Sequence, residues 1–357
     1  MKKIKIVVAG GGSSSGHITP LVAVINALQS KLVEVLWIGD NSARTRELAA
    51  EAKAEFIGIP TGKIHRRLTF ENIKTPFRYW AGIRAAGKVL DEFQPDVVFG
   101  KGGSVSLPVV KAAHRRGIPI VIHESDARMG LANLWAAQIA DLICVSYPID
   151  QYPARFANKL LFTGVPVRPQ FLTVTAHTYA RPRLLVTGGG QGSVAINRAL
   201  WGALPALSRE LDIDHLTGPA SFTEARTHQA MGYRSIAYAR TEMAQLLADA
   251  DLVLSRASAT TLAEIAVIGR PAILVPLPSA ANDHQRANAR AWTAAGAGVV
   301  IEERDLTSDR LIQEIHSLLG DKKARTKMAK AARLLAHPEA ATEIAKAILS
   351  MIKPEAK

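Results

Sequence analysis

Two polar loops, each following a short apolar run, carry the residues best suited to bind a ligand. Leu252–Leu254 and Ala272–Val275 are typical of buried parallel strands, and they lead into Ser255–Thr261 and Asn282–Gln285. Because ligands of open α/β sheets bind outside the carboxyl ends of the strands, we expect both loops at one site. Glu264 can accept two hydrogen bonds from a vicinal diol such as a ribose. A capped helix with an exposed glutamate is the simpler alternative, but the combination favours a nucleotide-sugar pocket.

Two glycine-rich loops, Gly10–Gly16 and Gly188–Ser193, each lie between a predicted strand and a predicted helix. Backbone N–H groups at the start of a helix suit an anion, and the second loop is a suitable place for a pyrophosphate. The first loop has neither the spacing of a dinucleotide-binding fingerprint nor the lysine of a Walker loop. His17, directly after that loop, is either a helix-capping histidine or a general base close to a hydroxyl nucleophile.

The alternation of apolar runs and helical periods predicts a doubly wound α/β series. The predicted strands are Ile4–Ala9, Glu34–Gly39, Phe56–Pro60, Pro95–Gly100, Val121–Glu124, Asp141–Val145 and Arg183–Thr187, with further strands near His215 and Ile236. The predicted helices include Leu21–Leu28, Asp40–Ala52, Met243–Ala250, Leu306–Leu319, Ala324–Ala336 and Ala341–Ile352. Thr260 or Thr261 is the expected N-cap of a further helix, which Gly269 ends. A Gly/Pro-rich hinge at Phe162–Pro169 separates two Rossmann-like halves.

A polar cluster follows the strand predicted at Val121–Glu124. His123, Glu124, Ser125 and Asp126 are expected at the same rim of the sheet as His17. Such a cluster exceeds what a core histidine needs, which favours a functional interpretation.

The bulk properties are those of a globular protein with two domains. The chain has 357 residues, 48% of them hydrophobic and 21% charged. No apolar run reaches the ~20 residues that span a bilayer, and the N-terminal run is too short for a signal peptide. Cys144 is the only cysteine, which excludes an intrachain disulfide and favours the cytosol. The net charge of +13 suits a polyanion or an anionic membrane, whereas 6% aromatic content and the lack of a stacking motif argue against nucleic acid.

A basic and apolar stretch spans residues 61–88. Its basic residues are Lys63, His65, Arg66, Arg67, Lys74, Arg78, Arg84 and Lys88, and its large apolar residues include Phe70, Phe77, Tyr79 and Trp80. An amphipathic helix with a solvated basic face is one interpretation. A peripheral membrane patch is the one we favour, because the segment before the helix has the same composition.

Seven segments, in order, resemble the motifs of the MurG family of UDP-N-acetylglucosamine transferases, over nearly the whole chain. They are the first glycine loop with His17 and Pro20, then Gly102–Pro108, His123–Gly130, Gly164–Arg168, Gly188–Ser193, Arg256–Glu264 and Asp283–Ala289. Each motif alone is a weak signal, whereas their shared order is a strong one.

The resemblance implies an α/β fold of glycosyltransferase type B, with two Rossmann-like domains facing across a cleft. Residues 1–163 with 338–357 would form the acceptor and membrane-associated domain, and residues 164–337 the UDP-sugar donor domain. The implied reaction transfers N-acetylglucosamine from UDP-N-acetylglucosamine to the 4-hydroxyl of the muramyl sugar of lipid I, giving lipid II. It would be a single inverting displacement without metal or cofactor, at the cytoplasmic face of the cell membrane.

The resemblance also implies roles for individual residues. His17 would be the base and Glu124 would support the acceptor side. Glu264 would bind the ribose, the segment Tyr238–Met243 the uracil, and His284 with Gln285 the sugar hydroxyls. The full set of implied donor-binding residues is Ser15, Gly16, Asp126, Arg168, Gly190, Gln191, Gly192, Ser193, Ala239, Thr261, Glu264, His284 and Gln285.

The chain departs from the family pattern at several positions. Ser104 stands in place of a tyrosine, Asp126 and Val165 in place of asparagines, and Gly190 in place of a serine. Because His17 and Glu264 are kept, an active but divergent enzyme is expected. The alternatives are a UDP-N-acetylglucosamine 2-epimerase, a related transferase acting on a lipid or natural product, and a silent binding module.

Overall fold

The structure, a computed structural model, describes residues 3–11, 15–62 and 70–352, without the side chains of residues 15–17 and 70–74. The chain divides into two compact units. Unit 1 comprises Met1–Arg168 and Glu339–Lys357, and unit 2 comprises Pro169–Pro338. Each unit contains one parallel sheet with helices packed on it.

The sheet of unit 1 has seven strands in the order β3-β2-β1-β4-β5-β6-β7. They are β1 (Ile4–Ala9), β2 (Val33–Gly39), β3 (Glu55–Gly58), β4 (Val97–Gly100), β5 (Ile120–Glu124), β6 (Leu142–Val145) and β7 (Leu160–Phe162). The helices between them are α1 (Ser15–Leu28), α2 (Ala43–Glu51), α3 (Phe70–Phe93), α4 (Gly103–His114) and α5 (Leu131–Ile139). The strand order reverses between β1 and β4, which is where doubly wound sheets bind ligands.

Both faces of this sheet are buried. In β1, Val7 and Ala9 belong to one core cluster, while Ile6 and Val8 belong to the cluster on the other face. Alternation of side chains along a strand explains the division, and burial on both faces explains why the strand reads as a continuous apolar run.

The sheet of unit 2 has six strands in the order β10-β9-β8-β11-β12-β13, and β8 and β11 flank its switch point. The strands are β8 (Arg183–Thr187), β9 (Asp212–Leu216), β10 (Tyr233–Ile236), β11 (Leu252–Ser255), β12 (Ala272–Leu274) and β13 (Gly298–Val300). The helices are α6 (Gln170–Thr173), α7 (Val194–Leu207), α8 (Phe222–Ala225), α9 (Met243–Asp249), α10 (Ala259–Ile268), α11 (His284–Ala294), α12 (Ser308–Gly320) and α13 (Lys322–Leu334).

The last helix, α14 (Ala340–Ser350), belongs to unit 1 although it follows all of unit 2 in the chain. Its buried residues Ile344 and Ile348 join the core cluster that contains Ile18 and Leu21 of α1. Among the described residues, no helix combines the length and hydropathy that crossing a bilayer requires.

Several local predictions are wrong. The N-cap of α10 is Ser258, whose side chain accepts a hydrogen bond from the N–H of Thr261, so the helix begins earlier than Thr260 or Thr261 would place it. Helix α1 begins at Ser15, so His17 lies in its first turn rather than at the end of a loop. The strand predicted at Phe56–Pro60 is displaced, because β3 spans Glu55–Gly58. The helix predicted at Asp40–Ala52 is too long, because Ser42 caps α2 and the helix ends at Glu51.

Candidate active site

The glycine-rich loop of unit 2 lies between β8 and α7, at the carboxyl end of a central strand. Gly189 and Gly192 have φ values of 82° and 78°, which favour glycine. A Cβ atom at Gly188 would lie 2.3 Å from the backbone nitrogen of Ser193, so the loop closes on itself. The Ser193 side chain caps α7 by accepting from the N–H of Ile196 at 3.3 Å. This loop and the free N–H groups of α7 are suited to bind an anion such as a diphosphate.

Arg256 ties the carboxyl ends of three segments together. Its guanidinium donates to Oγ of Ser193 at 2.7 Å and to the carbonyl oxygens of Val275 and Pro276 at 3.1 and 3.3 Å. It also pairs with Glu303, and it is 7% exposed. From the sequence alone Arg256 has no predicted role, although one arginine among small residues at a strand end is a signal for a buried, hydrogen-bonded charge.

Thr261 and Glu264 lie three residues apart on α10, so they share one face of that helix. Ser258 Oγ lies 2.8 Å from the Thr261 hydroxyl oxygen and donates to it, which places Thr261 within the capping arrangement. Glu264 is 7% exposed, in contrast to the exposed glutamate of the simpler interpretation. A buried carboxylate in the second turn of a helix that follows a central strand suits a ribose diol.

The loop after β12 has an unusual backbone. Asn282 and Asp283 have φ values of 52° and 54°, a left-handed conformation that non-glycine residues rarely adopt in succession. Arg286 holds the turn, because it pairs with Asp283 at 2.8 Å and with Glu302 at 2.9 Å. Such strain concentrates at ligand sites. His284 follows directly as the first residue of α11.

Two amides of α11 fix this loop to its neighbours. Gln285 Oε1 accepts from the N–H of Leu277 at 3.0 Å, and Asn288 Nδ2 donates to the carbonyl oxygen of Ala257 at 3.1 Å. The Gln285 side-chain oxygen therefore binds the backbone of the loop after β12, and Asn288 connects α11 to the loop after β11.

In unit 1, the turn after β5 is closed by a buried carboxylate. Glu124 accepts from the N–H groups of Asp126 and Gly130, both at 3.0 Å, and from Nδ2 of Asn133 at 2.9 Å. Burial raises the pKa of Glu124, and the nearby Asp126 carboxylate raises it further. Glu124 thus organises residues 124–130, and its acceptor-side role stays a prediction.

Lys101, directly after β4, is a second buried charge that was not predicted from the sequence. Lys101 is 1% exposed, and its ammonium group donates to Oγ of Ser125 at 2.7 Å. Burial lowers the pKa of Lys101, while Glu124 and Asp126 oppose that shift by favouring its charge. A lysine that interrupts an apolar run at a strand end was the available signal.

The functional interpretation of His123 is wrong. This residue lies inside β5 with no exposed surface. Its Nε2 lies 2.9 Å from the carbonyl oxygen of Gly164 and 3.1 Å from Oγ of Ser146. Burial, together with the Lys101 charge, holds its pKa well below the usual range, so it is neutral. His123 is a core histidine that joins β5 to β6 and to the segment after β7.

The structure brings together only part of the predicted site. Most of the predicted donor-binding residues follow the central strands β8, β11 and β12 of unit 2, and Ala239 follows β10. Those after the central strands are Gly190, Gln191, Gly192, Ser193, Thr261, Glu264, His284 and Gln285. Ser15, Gly16, His17, Glu124, Asp126 and Arg168 belong to unit 1. The side chains of Ser15 and His17 are outside the described residues, as are Lys63, His65, Arg66 and Arg67 of the predicted membrane patch.

Comparison with known proteins identifies the family. Residues 6–145 match the glycosyltransferase family 28 N-terminal domain, and residues 183–346 match its C-terminal domain. A UDP-N-acetylglucosamine–N-acetylmuramyl-(pentapeptide) pyrophosphoryl-undecaprenol N-acetylglucosamine transferase of Desulforamulus reducens is 35% identical, covering 94% of this chain and 96% of that protein. The crystal structure of Acinetobacter baumannii MurG is 27% identical, with a TM-score of 0.76 over 97% of this chain and 99% of that one. The chain belongs to the MurG family.

As a member of the MurG family, the chain is a glycosyltransferase with two parallel-sheet α/β domains. The predicted fold class and enzyme class are therefore confirmed. A UDP-N-acetylglucosamine 2-epimerase structure is also similar, with a TM-score of 0.69 over 98% of this chain and 96% of that one. At 16% identity, that similarity shows the fold alone.

Proposed function

We propose that this chain transfers N-acetylglucosamine from UDP-N-acetylglucosamine to the 4-hydroxyl of the muramyl sugar of lipid I, giving lipid II. The structural observation that carries the proposal is the loop Gly188–Ser193, which Arg256 fixes at the N-terminus of α7. That arrangement suits the diphosphate of a nucleotide sugar. The reaction printed in the names of the relatives supplies the sugar and the acceptor.

In the proposed reaction, the acceptor oxygen forms a bond to the anomeric carbon as the bond from that carbon to the diphosphate breaks. His17 accepts the proton of the hydroxyl, and UDP leaves with the electron pair. A single displacement inverts the anomeric configuration. The N–H groups of the glycine loop bind the diphosphate, whose negative charge grows as it leaves.

The donor binds chiefly to unit 2. Glu264 and Thr261 hold the ribose, the backbone near Ala239 contacts the uracil, and His284 with Gln285 faces the sugar. From unit 1, we assign Ser15, Gly16, Asp126 and Arg168 to the donor as well, and Glu124 to the acceptor side.

The acceptor is a lipid, so the enzyme binds a membrane surface, which we place at the cytoplasmic face of the cell membrane. On α3, Phe77 is 76% exposed and Trp80 is 55% exposed. The Arg115 guanidinium lies 5.5 Å from the centre of the Trp80 ring. Exposed apolar rings next to cations suit the headgroup region of an anionic membrane.

The test is UDP release from UDP-N-acetylglucosamine, with and without a short-chain lipid I analogue. We expect release only with the acceptor, together with a disaccharide product. The His17→Ala variant should lose transfer and keep UDP binding, and unchanged turnover would contradict the assignment of His17 as the base. Epimerised sugar without acceptor would support the epimerase instead. UDP binding without turnover would mean either that the acceptor is different or that the departures at Ser104, Asp126 and Val165 have cost activity.

A further inference from the structure

The glycine loop of unit 2 rests on a second backbone segment, Thr217–Gly218, directly after β9. A Cβ atom at Gly192 would lie 2.1 Å from the Thr217 carbonyl oxygen, and one at Gly218 would lie 2.3 Å from the Gln191 carbonyl oxygen. The two backbones therefore touch without room for a side chain. Any shift of the Thr217 peptide displaces the loop that faces the ligand.

A buried amide holds that peptide in place. Asn197, on α7, has no exposed surface, and its Nδ2 donates to the Thr217 carbonyl oxygen at 2.9 Å. Its Oδ1 lies 3.0 Å from Nε2 of His215 on β9, which is also fully buried. The Asn197 amide is thus hydrogen-bonded through both its nitrogen and its oxygen.

The hydrogen-bond directions in this network are fixed from Thr217, because its carbonyl oxygen can only accept, so Asn197 turns Nδ2 toward Thr217 and Oδ1 toward His215. Trp201 Nε1 can only donate, and it donates to the Tyr233 hydroxyl oxygen at 3.1 Å. The hydroxyl hydrogen of Tyr233 is donated to Nδ1 of His215, 2.9 Å away, because Nε2 is the nitrogen that faces the Asn197 oxygen and carries the ring hydrogen. His215 therefore carries its proton on Nε2 and donates to Asn197, which in turn donates to Thr217.

The protonation state of His215 is consistent with this order. Burial, followed by the nearby His228, lowers the pKa of His215 to about 3. The ring is therefore neutral in ordinary buffers and keeps one donor and one acceptor. Each side chain in the network that links Trp201, Tyr233, His215, Asn197 and Thr217 is hydrogen-bonded to the next, which makes the network rigid.

We propose that Asn197 and His215 are positioning residues for the diphosphate of the donor. They hold Thr217–Gly218, and that segment holds the glycine loop whose N–H groups face the phosphates. This inference deepens the proposed function and rests on a nucleoside diphosphate binding at the loop. It predicts that the network affects affinity for the phosphates and leaves affinity for the nucleoside unchanged.

The experiment compares the binding of UDP and uridine, measured by calorimetry or by competition, in the full-length protein. Asn197→Leu leaves buried groups unpaired, so we expect a loss of about tenfold or more for UDP, with uridine affinity within about twofold of wild type. His215→Leu should behave in the same way. His215→Gln keeps a donor for Asn197 and should recover most of the UDP affinity.

Trp201→Phe is the matched control, because it removes only the last donor and leaves the links from Tyr233 to Thr217 intact. We expect its ratio of UDP to uridine affinity to equal that of wild type. Equal losses for UDP and uridine in Asn197→Leu, or no loss for either, would overturn the positioning role. Failure of the wild-type protein to bind UDP would instead refute the proposed donor.

Discussion

The ammonium group of Lys101 lies 2.7 Å from the hydroxyl oxygen of Ser125, and its charge interacts with the carboxylates of Glu124 and Asp126. This is a buried cation that balances two acidic side chains of one turn. Lys101→Met should lower the free energy of unfolding by about 3–5 kcal/mol, because it leaves the acidic pair without its cation. Urea unfolding at pH 7.5 measures the change.

The exposed Lys88 offers a matched control, since Lys88→Met removes the same charge at the surface. Its effect should stay within about 0.5 kcal/mol. A similar, small effect at both positions would show that Lys101 does not balance the turn.

Glu264 provides a test of ribose recognition. If its carboxylate binds the ribose hydroxyls, wild type should prefer UDP to 2′,3′-dideoxy-UDP by about tenfold or more. Glu264→Ala should remove that preference while binding the dideoxy compound as wild type does. Calorimetric titration with the two nucleotides provides the comparison. A preference that persists in the variant would exclude the contact.

The exposed rings of α3 can be tested on vesicles. The double change Phe77→Ser and Trp80→Ser should reduce co-sedimentation with anionic liposomes several-fold, because both rings lose their apolar contact with lipid. Neutralising Lys63, Arg66, Arg67 and Arg78 should reduce it as well, and more at low salt.

A suitable control for the membrane experiment is Leu334→Ser. Leu334 is 86% exposed on α13 of unit 2, so the change removes a similar exposed apolar group elsewhere. Equal binding by the α3 variants and wild type would refute the membrane patch.

His215 should make stability depend on pH. Its pKa is lowered to about 3 in the folded protein, from an ordinary value of 6.5, so the unfolded chain binds more protons between these values. Stability is therefore fully present above about pH 6.5 and falls as the pH drops toward 3. Between pH 7.5 and 4.5, His215 should account for roughly 2–3 kcal/mol.

The measurement is the urea midpoint of wild type and His215→Gln at both pH values. The variant should lose less stability on acidification. Buried His123 shifts in the same direction in both proteins, so only the difference between them reports on His215. Parallel losses would contradict the lowered pKa.

Sequence reasoning located the elements where apolar runs are unambiguous. The strands at Ile4–Ala9 and Arg183–Thr187 were predicted with their observed bounds, since each is buried on both faces of a sheet. The N-cap of α10 was missed because Ser258, Thr260 and Thr261 are all competent caps, and only the backbone geometry selects Ser258.

The site residues that were missed depend on contacts between distant segments. Arg256 and Ser193 are 63 residues apart, and His123 and Gly164 are 41 residues apart. Periodicity and local spacing carry no information about such pairs. The same limit explains why His123 could be assigned to the ligand-binding rim of the sheet, although its ring is buried next to Gly164 and Ser146.

The return of α14 to unit 1 has a consequence for biosynthesis. Unit 2 is a continuous segment, complete once Pro338 has been made, whereas the core of unit 1 includes Ile344 and Ile348 near the end of the chain. Because domains fold as units during synthesis, the ribosome must release α14, and hence all of unit 2, before unit 1 can complete its core. Unit 1 therefore starts before unit 2 in the chain and is completed after it, and a stop codon just before α14 would leave the apolar face of α1 exposed.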